Sequence, residues 1–458
     1  MDDREREARE EQARVVASTL AVDGVDGIAL SYVDNAGVTR AKAIPLGGLE
    51  HAAAWGVGMS PVFDVFLVDD SITGGRLAGG PDGDLRLYPD LDRLAPLAAQ
   101  PGWAWAPVDR LTQEGEEHPG CQRSFARRMA AQASAAGLDV RMGFEVEWAV
   151  GSDQGSAFVP ACAGPAYGMT RIVELSDYCR DLLTALAAES VDVLQLHPEY
   201  AAGQFEVSTA PGDPISAVDQ LLLVRETIRA VSQRHGLAAA FAPAVVAGQV
   251  GNGQHLHLSL RRGEENLLAG GTGRYGLTGE GESFLAGLLE ALPALCGVGA
   301  PSVASQIRLV PSHWAGVFRC WGRENREAAL RLITGSIGET RSAANVELKC
   351  FDGSANPYLL VGAVLAVGLA SLPKGLHLPP EVVGDPAGLG AEELHRLGVE
   401  RLPDTPEESL ASFEKSALLR EAMGEWLYDA FVAVRRAEIE LFSGHTPDQV
   451  VAATRWRY

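Results

Sequence analysis

Five glutamates and two histidines stand among apolar or glycine-rich neighbours: Glu145 and Glu147 in FEVEW, Glu199 and Glu206 in HPEYAAGQFE, His255 and His257 in GNGQHLHLSL, and Glu347 in NVELK. Burying an isolated carboxylate is costly, so such groups need a cationic partner or a metal. Five carboxylates exceed the cations close to them in sequence and converge usefully only around more than one divalent ion. The expected chemistry is therefore metal-assisted. In a strand, positions 145 and 147 share one face while Phe144, Val146 and Trp148 pack behind, although a solvent-facing acidic edge would give the same pattern. Glu199 and Glu206 flank a compact turn in which Gly203 permits close backbone approach; a surface hairpin with charged rims is the alternative. His255 and His257 also share a strand face, one suited to a metal and the other to a phosphate or substrate, unless either is simply a core histidine. Glu347 and Lys349 pair on a face either as ligand and substrate cation or as a salt bridge.

Arg308 in RLVP and Arg326 and Arg331 in NREAALR supply the positive charge that this acidic set lacks. Their fixed donor forks suit phosphate and carboxylate groups, which favours phosphoryl transfer. Asn356-Pro357 is expected to end a strand segment and orient the following helix.

The elements that must hold these residues follow from hydrophobic period and turn signals. Residues 1–20 read as a charged helix or frayed arm, and IALSYVDNAGVTRAKAIPL at 28–46 reads as a hairpin. A strand at 84–88 precedes a proline-containing stretch, which places a small β-rich domain at 1–110. The rest, 111–458, reads as one large α+β body. It has helices at 121–136, 176–189 and 214–235 and a strand at 139–150. An exposed glycine-rich loop is expected at 263–281, and a turn leads into an apolar helix at 353–372.

The 458 residues can bury a sizeable core, and the formal charge of −22 disfavours nucleic acid or an anionic membrane as a bulk partner while leaving room for a local cationic pocket. The six cysteines, at 121, 162, 179, 296, 320 and 350, lack short paired spacings and are expected to be reduced. The N-terminus lacks a secretory pattern, and LLVGAVLAVGLA at 359–370 is too short to span a bilayer, so a cytoplasmic protein is expected.

At these motifs the chain resembles the glutamine synthetase family, a likeness that extends to VDNAGVTRAKAIP and GDLRLYPDL and covers nearly the whole sequence. The resemblance implies an α+β fold with a small N-terminal β-grasp-like domain and a large catalytic domain whose curved antiparallel sheet lines a funnel. It implies a homo-oligomer, a dodecamer of two hexameric rings, with sites between subunits. It also implies Glu147, Glu199 and Glu206 as ligands of one Mg²⁺ or Mn²⁺ ion, and Glu145, His255 and Glu347 as ligands of another. Arg326 and Arg331 would contact phosphate, with ATP as cosubstrate, and Arg308 would clamp the glutamate α-carboxylate. Asp64 matches a neighbour-supplied aspartate, while Gly253 and His257 fall in the substrate-binding turn and strand. Activation of glutamate as γ-glutamyl phosphate, followed by attack of an amine, is the implied reaction.

Three departures bear on the amine. Trp314 stands where the family has a glutamate that binds ammonium and removes its proton, which a neutral indole cannot do; it offers instead an aromatic wall for a larger amine. Lys349 replaces an arginine, and Val250 replaces an asparagine for which Asn252 is a substitute. The tyrosine that is adenylylated in bacterial enzymes has no match in ERLPDTPEESL. The favoured expectation is a ligase joining glutamate to ethanolamine, an alkylamine or a polyamine. Ordinary glutamine synthesis and a nonenzymatic ring-forming sensor are the alternatives.

Overall fold

Asp2 opens the chain with a capping box: its side chain accepts from the Glu5 amide and the Glu5 carboxylate accepts from the Asp2 amide, starting the helix Asp3–Val22. The computed structural model describes residues 2–154 and 157–458; Met1, at the head of the expected first helix, lies outside the described residues. This helix and Leu49–Trp55 pack Ala13, Leu20, Leu49 and Ala53 against Ile28, Leu30, Leu85 and Leu87 of a mixed sheet. The strand order in that sheet is Thr39–Pro45, Gly27–Val33, Trp103–Thr112, Leu85–Pro89, Val57–Met59. The expected hairpin is its first pair, and Gly27–Val33 runs parallel to Trp103–Thr112.

The larger sheet runs, edge to edge, Glu400–Arg401, Phe318–Arg323, Ala328–Ile333, Asn345–Leu348, Gln254–Arg262, Asp139–Gln154, Gln204–Thr209 and Val193–Pro198. Its neighbours along this path are antiparallel except for Phe318–Arg323 with Ala328–Ile333, so the sheet is mixed at one side rather than antiparallel throughout. Phe144, Val146 and Trp148 point into the main core, beside Phe205 and Val207 from the next strand. Helices Gln122–Ala135, Pro214–Arg234, Gly279–Gly299 and Pro357–Ser371 supply much of the rest of that core. One sheet face is thus apolar and covered, which leaves the alternate residues free to form a polar face.

Two expectations change. Residues 263–281 are not simply an exposed loop: they contain the short strand Glu265–Asn266, and Leu267, Leu268 and Leu277 are buried in the main core. The apolar segment near 360 is longer than its uninterrupted apolar run. Residues Pro357–Lys374, like Gly279–Gly299, are long and apolar enough to cross a membrane, yet both lie mostly buried within the protein. All six cysteines are free and buried.

Asn356 ties the two sheets together. Its side-chain oxygen accepts from the Tyr358 and Leu359 amides, at 3.0 and 3.1 Å, capping the helix Pro357–Ser371. Its side-chain nitrogen donates to the Val33 and Asp34 carbonyls, at 2.9 and 3.1 Å, at the end of the first hairpin strand. Asn356→Ala removes a cap and leaves buried groups unpaired, so it should lower stability by about 2–4 kcal/mol in denaturant unfolding. Asn356→Asp keeps the acceptor but not the donors and should recover only part of the loss.

Candidate active site

Strand register, not loop closure, assembles the polar face. Glu206 lies directly opposite Glu147, and His255 lies opposite Glu145. Glu347 lies opposite both His257 and Arg331 on its two flanking strands. The hairpin that brings in Glu199 turns at Gly203, whose φ is +72°; a Cβ there would sit 2.6 Å from the Val150 carbonyl oxygen. Glycine is required on both counts.

The face lines a cavity of about 700 Å³. Glu145, Glu147, Glu199, Glu206, His255, Arg308, Arg326, Arg331 and Lys349 all border it. A second cavity, of about 430 Å³, shares Glu145 and His257 with the first and is bordered by Ser259 and Asn345 on its far side. The acidic row is therefore approached from two sides.

Within the row every charge has a partner. His255 Nδ1 lies 3.1 Å from Glu145 Oε2 and 3.2 Å from Glu347 Oε1. His257 Nε2 lies 3.2 Å from Glu145 Oε1, and its Nδ1 lies 3.0 Å from Asn345 Oδ1. Glu347 is fully buried, receiving Lys349 Nζ at 2.8 Å on one oxygen and Arg331 Nη1 at 2.9 Å on the other. Lys349 thus forms the salt bridge that the sequence left open.

These contacts set the titration behaviour. Burial opposes ionisation of Glu145 and Glu347, but the two histidines, and Lys349 beside Glu347, hold both carboxyls well below their usual range. For Glu206, burial dominates, reinforced by Glu145 and Glu147, and its carboxyl is pushed up to about 7. The bond from Glu206 raises His197 to about 9 against the opposing effect of burial.

Arg308 is buried, with Nη2 donating to the Lys349 carbonyl at 3.1 Å, while its Nη1 has no partner among the described residues. An unsatisfied buried guanidinium nitrogen bordering a cavity is suited to an anionic ligand. Gly253 donates its amide to Glu147 Oε2 at 2.9 Å, and a Cβ there would press on the His255 ring and on Arg308. Trp314 is half-exposed at the cavity edge, with a φ of +55° and its ring edge-on to Tyr200, centroids 6.2 Å apart.

Two expected site residues, Asp64 and Asn252, do not border this cavity. Asp64 is buried within its own chain, where it pairs with Arg110 and lies 2.8 Å from His118 Nε2. Burial opposes its ionisation, but the arginine outweighs it and holds the carboxyl at about 2. Asn252 is also buried: its side-chain nitrogen donates to the Ala240 and Ala242 carbonyls, and its oxygen accepts from Gln204. It fastens the turn through these bonds.

Other lining residues had no assigned role. His197 Nε2 bonds Glu206 at 3.1 Å, and the Tyr167 hydroxyl donates to Glu199 Oε2 at 2.9 Å. Tyr200 and His313 complete an aromatic rim with Tyr167 and Trp314. His197 and Tyr200 flank Glu199 in sequence, which was a usable signal; Tyr167 and His313 carried none.

A family model described as the glutamine synthetase catalytic domain matches residues 119–452. The chain belongs to the glutamine synthetase family. It is an ATP-dependent ligase of that superfamily, and the α+β fold with its N-terminal sheet domain agrees with the expected class. Gamma-glutamylpolyamine synthetase GlnA3 of Streptomyces coelicolor is 57% identical over 451 residues, covering 98% of this chain and 97% of that protein. The glutamine synthetase of Clostridium saccharobutylicum is 28% identical over 92% of this chain and 94% of its own length. Among solved structures, a novel glutamine synthase homolog aligns with a TM-score of 0.84 at 30% identity, covering 95% of this chain and 99% of that one. A GmaS/ADP complex aligns with a TM-score of 0.82 at 26% identity, covering 94% and 97%.

The divalent cations of a glutamine synthetase fit the donors present. Among the described residues, three groups have ligand atoms within 4.8 Å of one another: Glu145, His257 and Glu347; Glu145, Glu206 and His255; and His197, Glu199 and Glu206. These sets of carboxylate oxygens and imidazoles suit Mg²⁺ or Mn²⁺. Cation binding needs Glu206 ionised, so affinity should fall as pH drops from 8 to 6, by roughly tenfold from this carboxyl alone. Titration calorimetry with Mn²⁺ at pH 6, 7 and 8 measures the slope; a flat profile would remove Glu206 from the ligand set.

Proposed function

We propose that this ATP-dependent glutamate–amine ligase takes a polyamine as its amine, through a γ-glutamyl phosphate. The observation that carries this reading is Trp314, an indole on the cavity rim at the position of the ammonium-binding glutamate, standing edge-on to Tyr200. Aromatic faces attract alkylammonium groups and cover their apolar stems, whereas ammonium itself has no apolar stem to cover. The 57% identity to a protein named as a gamma-glutamylpolyamine synthetase supports the same choice. The formal charge of −22 would draw a polycation toward the protein.

In this reading glutamate lies in the larger cavity, its α-carboxylate on the open donor of Arg308, and ATP enters the cavity beyond Glu145 and His257. Two or more divalent ions, when bound, neutralise the phosphate oxygens. Arg326 and Arg331 add directed donors to the transferring phosphoryl group. A γ-carboxylate oxygen of glutamate bonds to the γ-phosphorus as ADP departs. The neutral amine nitrogen then attacks the activated carbonyl carbon, phosphate leaves, and the departing phosphate takes the proton that the nitrogen loses. A dodecamer of two hexameric rings and a cytoplasmic location complete the reading by analogy with the family.

Product formation should be followed by mass spectrometry with ATP, glutamate, Mg²⁺ or Mn²⁺, and a panel of ammonium, ethanolamine, alkylamines and polyamines. A γ-glutamyl polyamine should dominate; glutamine as the preferred product would return the protein to ordinary glutamine synthesis. Trp314→Ala should lower kcat/KM for the amine about tenfold while leaving the KM for ATP within twofold. Glu347→Ala should impair metal-dependent ATP turnover by at least a hundredfold, since it removes a cation ligand and strands Lys349 and Arg331.

A further inference from the structure

Behind Trp314 lies a third cavity, of about 390 Å³, bordered by Trp314 and Arg326 in common with the catalytic cavity. Its charged lining consists of Glu324, Glu327, Asp385, Arg323 and Arg326. Glu324 is committed, its carboxylate accepting from the Thr334 amide at 2.9 Å and from Arg331 at 3.2 Å. The Arg323 guanidinium sits over the Tyr275 ring, 5.0 Å from its centroid. Glu327 differs from both. It is 6% exposed; Oε1 accepts from the Trp314 amide at 2.9 Å, and Oε2 is buried with no hydrogen-bond partner among the described residues.

The position of Glu327 is built rather than incidental. Asn325 accepts from the Glu327 amide at 3.0 Å and donates to the Val382 and Gly384 carbonyls, each at 3.0 Å, locking the turn to the segment that carries Asp385. Asp385 accepts from Ser312 at 2.7 Å and from the Ala387 amide at 2.8 Å, which leaves lone pairs on both oxygens. Ser312 lies two residues before Trp314, so both carboxylates are joined to the loop that presents the indole.

We propose that this cavity is a distal ammonium site, in which Glu327 and Asp385 receive the second cationic nitrogen of a di- or polyamine whose reacting nitrogen has passed Trp314. The inference rests on the amine-ligase reading above and adds to it the residues that distinguish a polycation from a monoamine. Burial raises the Glu327 carboxyl above its ordinary range, with Asp385 adding to it and the Trp314 bond and Lys349 opposing it, a net cost that an arriving cation offsets. An ammonium group is also the ligand that satisfies an acceptor lacking a donor.

The test compares 1,4-diaminobutane with butylamine, which has the same carbon chain but one nitrogen, in the wild-type protein, Glu327→Gln and Asp385→Asn. The amide oxygen of the glutamine variant still accepts from the Trp314 backbone, so the loop keeps its anchor while the charge is lost. The ratio of kcat/KM for the diamine over the monoamine should fall at least tenfold in Glu327→Gln, through KM, and about threefold in Asp385→Asn. A ratio within twofold of wild type in Glu327→Gln overturns the distal site and leaves the amine-ligase reading intact, because the wild type still forms γ-glutamyl amides. Wild-type protein that forms none with any amine overturns both. Should Glu327→Gln turn over too slowly to measure, calorimetric binding of the two amines in the presence of ADP decides by the same ratio.

Discussion

Like charges placed directly opposite each other on adjacent strands are the constraint around which this molecule is built. Glu206 faces Glu147 across one strand pair, and Glu145 lies on the same strand as Glu147, two residues away on the same face. Cross-strand pairs of this kind are destabilising, and two carboxylates 4 Å apart repel by about 4 kcal/mol at an effective dielectric of about 20. His197, His255, His257, Lys349 and Arg331 offset the repulsion. Divalent cations would replace several of these contacts at once, so the row suits the cation-using chemistry of the family.

Such a row needs a rigid support. The alternate residues of the same strands, Phe144, Val146, Trp148, Phe205 and Val207, are buried among helices, and a slip of one residue would exchange the apolar and acidic faces. Register is therefore specified by the core, and site geometry follows from it. The N-terminal sheet is tied to this support through Asn356, and also through Arg123, whose guanidinium reaches Asp90 and Asp109 on one side and Asp219 on the other. Arg110 and Asp64 form a further buried pair.

What was legible in the chain were the features with a short period. The Glu-x-Glu and His-x-His faces, the hairpin at Gly203 and the helix capped by Asn356 all follow from two-residue alternation or turn chemistry; five of the six expected metal ligands fall in the three clusters of ligand atoms among the described residues, grouped differently from the expected sets and with Glu147 outside them. What escaped depends on distant partners. Nothing in VFDVFLVDDS reveals that Arg110 and His118 enclose Asp64, and nothing near Asn252 reveals that Gln204, Ala240 and Ala242 use up its side chain. Glu327 reads locally as one more charge in NREAALR; only the fold places it beneath the Trp314 amide. In the 263–281 segment the glycines concealed the apolar anchors Leu267, Leu268 and Leu277.

The hydrogen bond between the Trp314 amide and Glu327 has an evolutionary corollary. Trp314 holds a left-handed backbone conformation that a tryptophan adopts only when its surroundings compel it, and Glu327 supplies part of that compulsion from a separate turn. The two positions are epistatic: the effect of any residue at 314 depends on what stands at 327. Because the donor is a backbone amide, any residue but proline at 314 keeps this anchor while Glu327 stands, whereas a change at 327 alone releases it. Arg331 links that turn to the ion-binding strands by donating to Glu324 and to Glu347, and Arg326 stands in the turn itself, so a change at the rim reaches two arginines that border the catalytic cavity.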